Sequence, residues 1–121
     1  MILVDTSIWV DHLRARSRAL VELLEGGRVL THPFVIGELA LGRLEPRGTI
    51  LNALSDLPRA RSATDDEVMH LIDGERLAGL GIGYVDAHLL AAARLTAGAT
   101  LWTRDKRLHG IAGRMGVAST Q

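Results

Sequence analysis

The chain has 121 residues, 47% of them hydrophobic, with 14 basic residues against 14 acidic ones and no cysteine. That length suits one domain, residues 1–121, with a single core. The lack of cysteine excludes disulfides and zinc–thiolate sites and is in keeping with a reducing cytoplasm, so any metal ligand must be oxygen or imidazole. The neutral charge balance excludes a general attraction of the whole surface to polyanions.

Met1-Ile2-Leu3-Val4-Asp5 has no basic leader and an apolar run too short for a membrane span, so the first residues are expected to belong to the fold. Ile2 to Val4 predicts a buried strand that ends at Asp5 and feeds a capped helix over Ser7 to Leu13. Leu20, Val21, Leu23 and Leu24 then recur at helical spacing until Gly26-Gly27, and Arg28 to Thr31 predicts a second strand. Pro33 suits the first turn of a helix that runs to about Leu41 and is apolar nearly all round. A helix over Thr49 to Leu57 precedes Pro58, and Ala60 to Ala63 reads as a weak strand. Thr64-Asp65-Asp66-Glu67 is a capping box that opens another helix. Gly79, Gly81 and Gly83 mark a loop; helix resumes near Val85 and ends around Thr96 to Gly98. Thr100 to Thr103 predicts a strand, Asp105 to Met115 a last helix and Val117-Ala118 a closing strand. Short, wholly apolar strands alternating with helices imply an α/β fold with a parallel sheet covered on both faces, and such sheets gather functional groups beyond the carboxyl ends of their strands.

Four carboxylates interrupt the apolar pattern: Asp5 after the first strand, Glu38 inside the Pro33 helix, Asp86 at the start of the Val85 helix and Asp105 beyond the Thr100 strand. An unpaired carboxylate is costly to bury, so these four must share a positive partner or lie apart. A divalent cation is the simplest partner. Asp5 and Asp105 read equally well as helix N-caps, and Asp86 as a carboxylate favoured by the helix dipole. Glu38 is the only ionisable residue from Pro33 to Gly42, with Phe34 and Leu41 on its helical stripe, which predicts an inward face. A snorkelling or arginine-paired glutamate is the alternative. An all-oxygen set suits Mg²⁺ or Mn²⁺, which activate water and steady a phosphodiester's developing charge, so hydrolysis of a nucleic-acid strand is the expected chemistry.

In these residues the chain resembles the PIN-domain ribonucleases, and among them the VapC-type toxins of bacterial toxin–antitoxin pairs. The carriers are Ile2-Leu3-Val4-Asp5-Thr6-Ser7, Val35-Ile36-Gly37-Glu38-Leu39, Tyr84-Val85-Asp86-Ala87-His88-Leu89-Leu90 and Thr103-Arg104-Asp105-Lys106-Arg107-Leu108, in order over nearly the whole chain. The resemblance implies a PIN-like three-layer α/β/α sandwich with a central parallel sheet. It implies Asp5, Glu38, Asp86 and Asp105 as ligands of Mg²⁺ or Mn²⁺, with the Thr6 or Thr103 hydroxyl as support. It further implies endonucleolytic cleavage of RNA, whether tRNA, rRNA or mRNA, a homodimer, and a VapB-like antitoxin whose C-terminal peptide lies along the active-site groove. The small size favours the toxin branch over RNA-processing PIN proteins.

Arg104, Lys106 and Arg107 flank Asp105 and either hold substrate phosphates or screen the acids. Arg14, Arg16 and Arg18 read as a solvated patch, and the five histidines show no paired metal spacing. With one Phe, one Tyr and two Trp, recognition of RNA by base stacking is not expected. Gly79-Leu80-Gly81-Ile82-Gly83-Tyr84 follows a helix and lacks the last glycine of a dinucleotide fingerprint. A receiver-like phosphoacceptor domain also places Asp at strand ends beside Mg²⁺ and a lysine, but it needs an Asp after a middle strand, where this chain has Thr31-His32-Pro33.

Overall fold

Ile2–Val4 (β1) is three apolar residues, all buried, as a central strand covered on both sides must be. The computed structural model describes residues 1–121. β1 pairs in parallel with Val29–Leu30 (β2) on one side and Thr100–Trp102 (β3) on the other, giving the order β2-β1-β3. Single bridges extend the sheet at both edges, Thr31 to Arg59 beyond β2 and Leu101 to Ala118 beyond β3. The closing strand expected at Val117-Ala118 is therefore one rung long. The strand expected at Ala60 to Ala63 is displaced to Arg59, where the Thr31 N–H donates to the Pro58 carbonyl and the Ala60 N–H to the Thr31 carbonyl, both at 2.8 Å. Beyond Ala60 the backbone leaves the sheet and becomes exposed on its way to the Thr64 cap.

Seven helices fill the connections: Thr6–Arg14 (α1), Arg18–Glu25 (α2), Pro33–Leu41 (α3), Arg47–Asp56 (α4), Asp65–Gly74 (α5), Tyr84–Leu95 (α6) and Lys106–Arg114 (α7). α1 packs on α3 and α3 on α4, while α5 packs on α6 and both α6 and α7 pack on β3. These are the helical layers of a three-layer α/β/α sandwich. Ala87 to Ala93 of α6 are all buried, because alanines let a helix lie close against the sheet on several sides at once. The capping box at Thr64 is formed in both directions, Glu67 N–H to the Thr64 hydroxyl and Thr64 N–H to the Glu67 carboxylate. None of the helices is long and apolar enough to cross a membrane.

The connectivity places a crevice at the sheet's carboxyl edge. After β1 the chain leaves through α1 toward β2; after β3 it leaves through α7 toward the opposite edge at Ala118. Neighbouring strands whose helices depart in opposite directions leave a gap between them, and β1 and β3 are such a pair.

α3 is capped by a residue the usual cap preferences do not suggest. The His32 Nδ1 accepts the Phe34 N–H at 3.0 Å, while Pro33 occupies the first turn. His32 is 1% exposed and its Nε2 has no hydrogen-bond partner. Burial, then the charges of His88 and Arg59, push its pKa down to about 4. The unfolded chain, with its ordinary histidine, therefore takes up a proton first as pH falls. Stability is complete above pH 6.5 and is lost progressively toward a pH of about 4. The expected loss is about 1–3 kcal/mol, measurable by urea denaturation across that window. His32→Asn retains a capping oxygen that does not titrate and should flatten the loss. An equal loss in the variant would assign it to other groups.

Candidate metal centre

Strand register sets the floor of the site. Val4 pairs with Trp102, and the Asp5 N–H donates to the Trp102 carbonyl at 2.9 Å, so the next residues, Asp5 and Thr103, lie side by side in the crevice. The Thr103 hydroxyl donates to Asp5 Oδ2 at 2.7 Å, the Ser7 hydroxyl donates to the same oxygen at 2.9 Å, and the Thr6 N–H donates to Oδ1 at 2.8 Å. Asp5 is 7% exposed, and these three donors replace the water it has lost.

The other three carboxylates are reached from this floor. The Thr6 hydroxyl donates to Glu38 Oε1 at 2.7 Å, which ties α3 to the start of α1. The Thr103 hydroxyl oxygen accepts the Asp105 N–H at 3.1 Å, and Asp105 Oδ1 accepts the N–H groups of Arg107 and Leu108 at 2.9 and 3.2 Å. Asp86 Oδ2 accepts the Gly83 N–H at 3.1 Å across the first turn of α6.

Asp86 senses all the others. Its carboxyl lies above the usual range because it is half-buried and because the charges of Asp5, Asp105 and Glu38 oppose its ionisation; the Gly83 N–H works against that rise. The ion pairs of the molecule are His88–Asp65, Arg94–Glu75 and Arg104–Asp11, so none of the four acids has a basic partner. Nor do any three acidic or histidine side chains stand close enough together to enclose an ion in this arrangement. Like charges spread apart and take local donors instead: Glu38 leans on Thr6, and Asp105 turns onto the α7 N-terminus. The donor set nevertheless suits a hard divalent cation, being all carboxylate oxygen with the excess negative charge unmatched. Glu38 and Asp105 are exposed, each held by local hydrogen-bond donors.

The capping reading of Asp5 and Asp105 holds, since each side chain takes an N–H from the helix it begins. Glu38 corrects an expectation: its side chain is exposed, not turned into the core. On a helix apolar on every side, burial goes to Val35 and Leu39, and Leu41 is left 91% exposed. Arg104 bonds to Asp11 at 3.0 Å and stands away from the quartet, whereas Lys106 and Arg107 are exposed on the first turn of α7. Arg107 lies over Gly81, whose φ is +82°; a Cβ there would come within 2.6 Å of Arg107 Nη1. The glycine loop is thus the bed on which Arg107 rests, close to the start of α6.

Two supports were not evident from sequence. The Ser7 hydroxyl donates to Asp5, two residues before it, and accepts the Arg104 N–H at 3.1 Å, a second contact that the β1–β3 register creates. Asp65 receives the Tyr84 hydroxyl at 2.8 Å and stands 3.2 Å from His88 Nε2; these two contacts, Tyr84 first, hold its carboxyl below the usual range. The His88 ring packs at 4.7 Å from Phe34, so the helix bearing Asp86 is fixed against the helix bearing Glu38.

A PIN domain model matches residues 2–114, and the chain belongs to the PIN-domain family. Within that family it is of the VapC ribonuclease type. It is 50% identical over 118 residues to Ribonuclease VapC32 of Mycobacterium tuberculosis, in strains CDC 1551 / Oshkosh and ATCC 25618 / H37Rv alike, covering 98% of this chain and 95% of the relative. The receiver-like alternative is thereby set aside.

Thr103→Val keeps shape and burial but withdraws a donor from the buried Asp5 carboxylate. It should cost about 1–3 kcal/mol in urea denaturation of the metal-free protein. Asp86→Asn keeps an oxygen for the Gly83 N–H while removing one of four repelling charges, and it should raise the metal-free midpoint. A fall with Asp86→Asn would mean that the acids do not repel one another.

Proposed function

We propose that the protein is a Mg²⁺- or Mn²⁺-dependent endoribonuclease that acts as the toxin of a type II toxin–antitoxin pair, cutting tRNA, rRNA or mRNA in the cytoplasm and so inhibiting translation. The observation that carries this reading is the quartet of carboxylates without basic partners at the carboxyl edge of a PIN sheet. Identity to a ribonuclease over 98% of this chain and 95% of the relative supports the toxin branch over a longer RNA-processing protein.

Asp5, Glu38, Asp86 and Asp105 would hold the ion. When bound, it supplies an activated water and stabilises charge on the phosphate. The rest is the work of the chain itself. Thr103 and Ser7 fix the Asp5 carboxylate so that it needs no reorganisation, and Thr6 holds Glu38 beside it. Lys106 and Arg107, exposed next to Asp105, would meet the phosphates of an RNA strand that the acids alone would repel. A VapB-like antitoxin with its C-terminal peptide along the acidic edge would block the same approach, and a homodimer would set which RNA fits.

In a cleavage assay on single-stranded RNA, chelation should abolish activity, and added Mg²⁺ or Mn²⁺ should restore it. Asp5→Asn, Glu38→Gln, Asp86→Asn and Asp105→Asn should each lower kcat by about a hundredfold or more, on the scale of other losses of transition-state electrostatics, while the proteins remain folded. Cleavage that survives both chelator and substitution would overturn the reading.

A further inference from the structure

A cleft of about 430 Å³ opens beside the acidic edge, between α1 and the end of β3, lined by Ile8, Asp11, Arg14, Ser17, Trp102 and Arg104. Its walls are continuous with the groups that hold Asp5. Trp102 directly precedes Thr103. Ser7 and Asp11 are one turn apart on α1, and Arg104 spans them, its N–H donating to the Ser7 hydroxyl at 3.1 Å and its Nε to Asp11 Oδ2 at 3.0 Å. Trp102 is half-buried and lines the cleft, and Arg14, also on its wall, is exposed.

We infer that this cleft is a subsite for one nucleotide of single-stranded RNA flanking the scissile phosphate, its base against Trp102 and its phosphates on Arg14 and Arg104. The inference rests on the nuclease reading for which phosphate is cut, not for the binding itself. An aromatic side chain and two guanidiniums lining one cleft are the composition that receives a base and its phosphates together. The volume is that of a small-molecule pocket rather than a duplex groove. The Arg104–Asp11 pair is exposed on both sides, 66% and 43%, so it is weakly held and a phosphate can replace Asp11. An acidic peptide would use the arginines and leave the indole idle. The scarcity of aromatic residues excludes a run of stacked bases, and this subsite needs one ring.

The experiment is a titration of the chelator-treated protein with a short single-stranded RNA, followed by tryptophan fluorescence, so that no cleavage occurs. Trp9 is 5% exposed and contributes a constant background. RNA should quench the signal; Trp102→Leu should remove the quench and weaken binding roughly tenfold. Arg14→Ala, at an exposed position where folding is not at risk, should weaken binding and lower the slope of log affinity against log salt by about 0.7. With Mn²⁺ present, both variants should raise KM and leave kcat unchanged. Parent-like affinity and salt slope in both variants would overturn the subsite even if the parent cuts RNA. Variant-dependent binding by a parent that never cuts RNA would uphold the subsite and refute the nuclease reading. Tighter quenching by a glutamate-rich peptide than by RNA would overturn the choice of ligand.

Discussion

The structure is organised around one buried carboxylate. Asp5 closes the central strand, 7% exposed, with three donors and no cation of the protein's own. Those donors satisfy its hydrogen bonds but not its charge. To supply them, β1 must end level with β3, so that Thr103 lies beside Asp5, and α1 must begin at once, so that Thr6 and Ser7 reach back. Register, sheet order and the first helix are thereby tied to a single side chain.

The other acids are added at positions that cost the fold little. Asp105 and Asp86 each begin or support a helix N-terminus, and Glu38 stands on the exposed side of α3. Each therefore has a local role that keeps it in place without a counter-charge, while burial and then the charges of the other three push the carboxyl of half-buried Asp86 up. Proteins commonly accept such local destabilisation where a site requires it. The Asp65–Tyr84–His88 contacts hold α6 against α5, and the Phe34–His88 packing holds it against α3.

Much of this was legible in the sequence. Ile2 to Val4 followed by Asp5, the Thr64 capping box and the helix starting near Val85 each signal themselves locally, and the structure has them within a residue or two. The direction of Glu38 was not legible, because a helix with apolar residues on every side has no periodicity from which to choose a face. The His32 cap was missed because imidazole accepts a backbone N–H only when held neutral, and that depends on burial beneath distant residues. The strand expected at Ala60 to Ala63 moved to Arg59 because one ladder rung with Thr31 decided its position, not the apolar content of the segment. The Ser7–Arg104 bond and the Trp102 cleft depend on tertiary register, because their partners lie far along the chain, at Arg104 and on α1.

The most direct measurement is the anomalous diffraction of crystals soaked in Mn²⁺. A peak is expected at the carboxyl edge between β1 and β3, with oxygens of Asp5 and at least two of Glu38, Asp86 and Asp105 drawn in to about 2.1 Å. A saturating soak that leaves no peak there would contradict it.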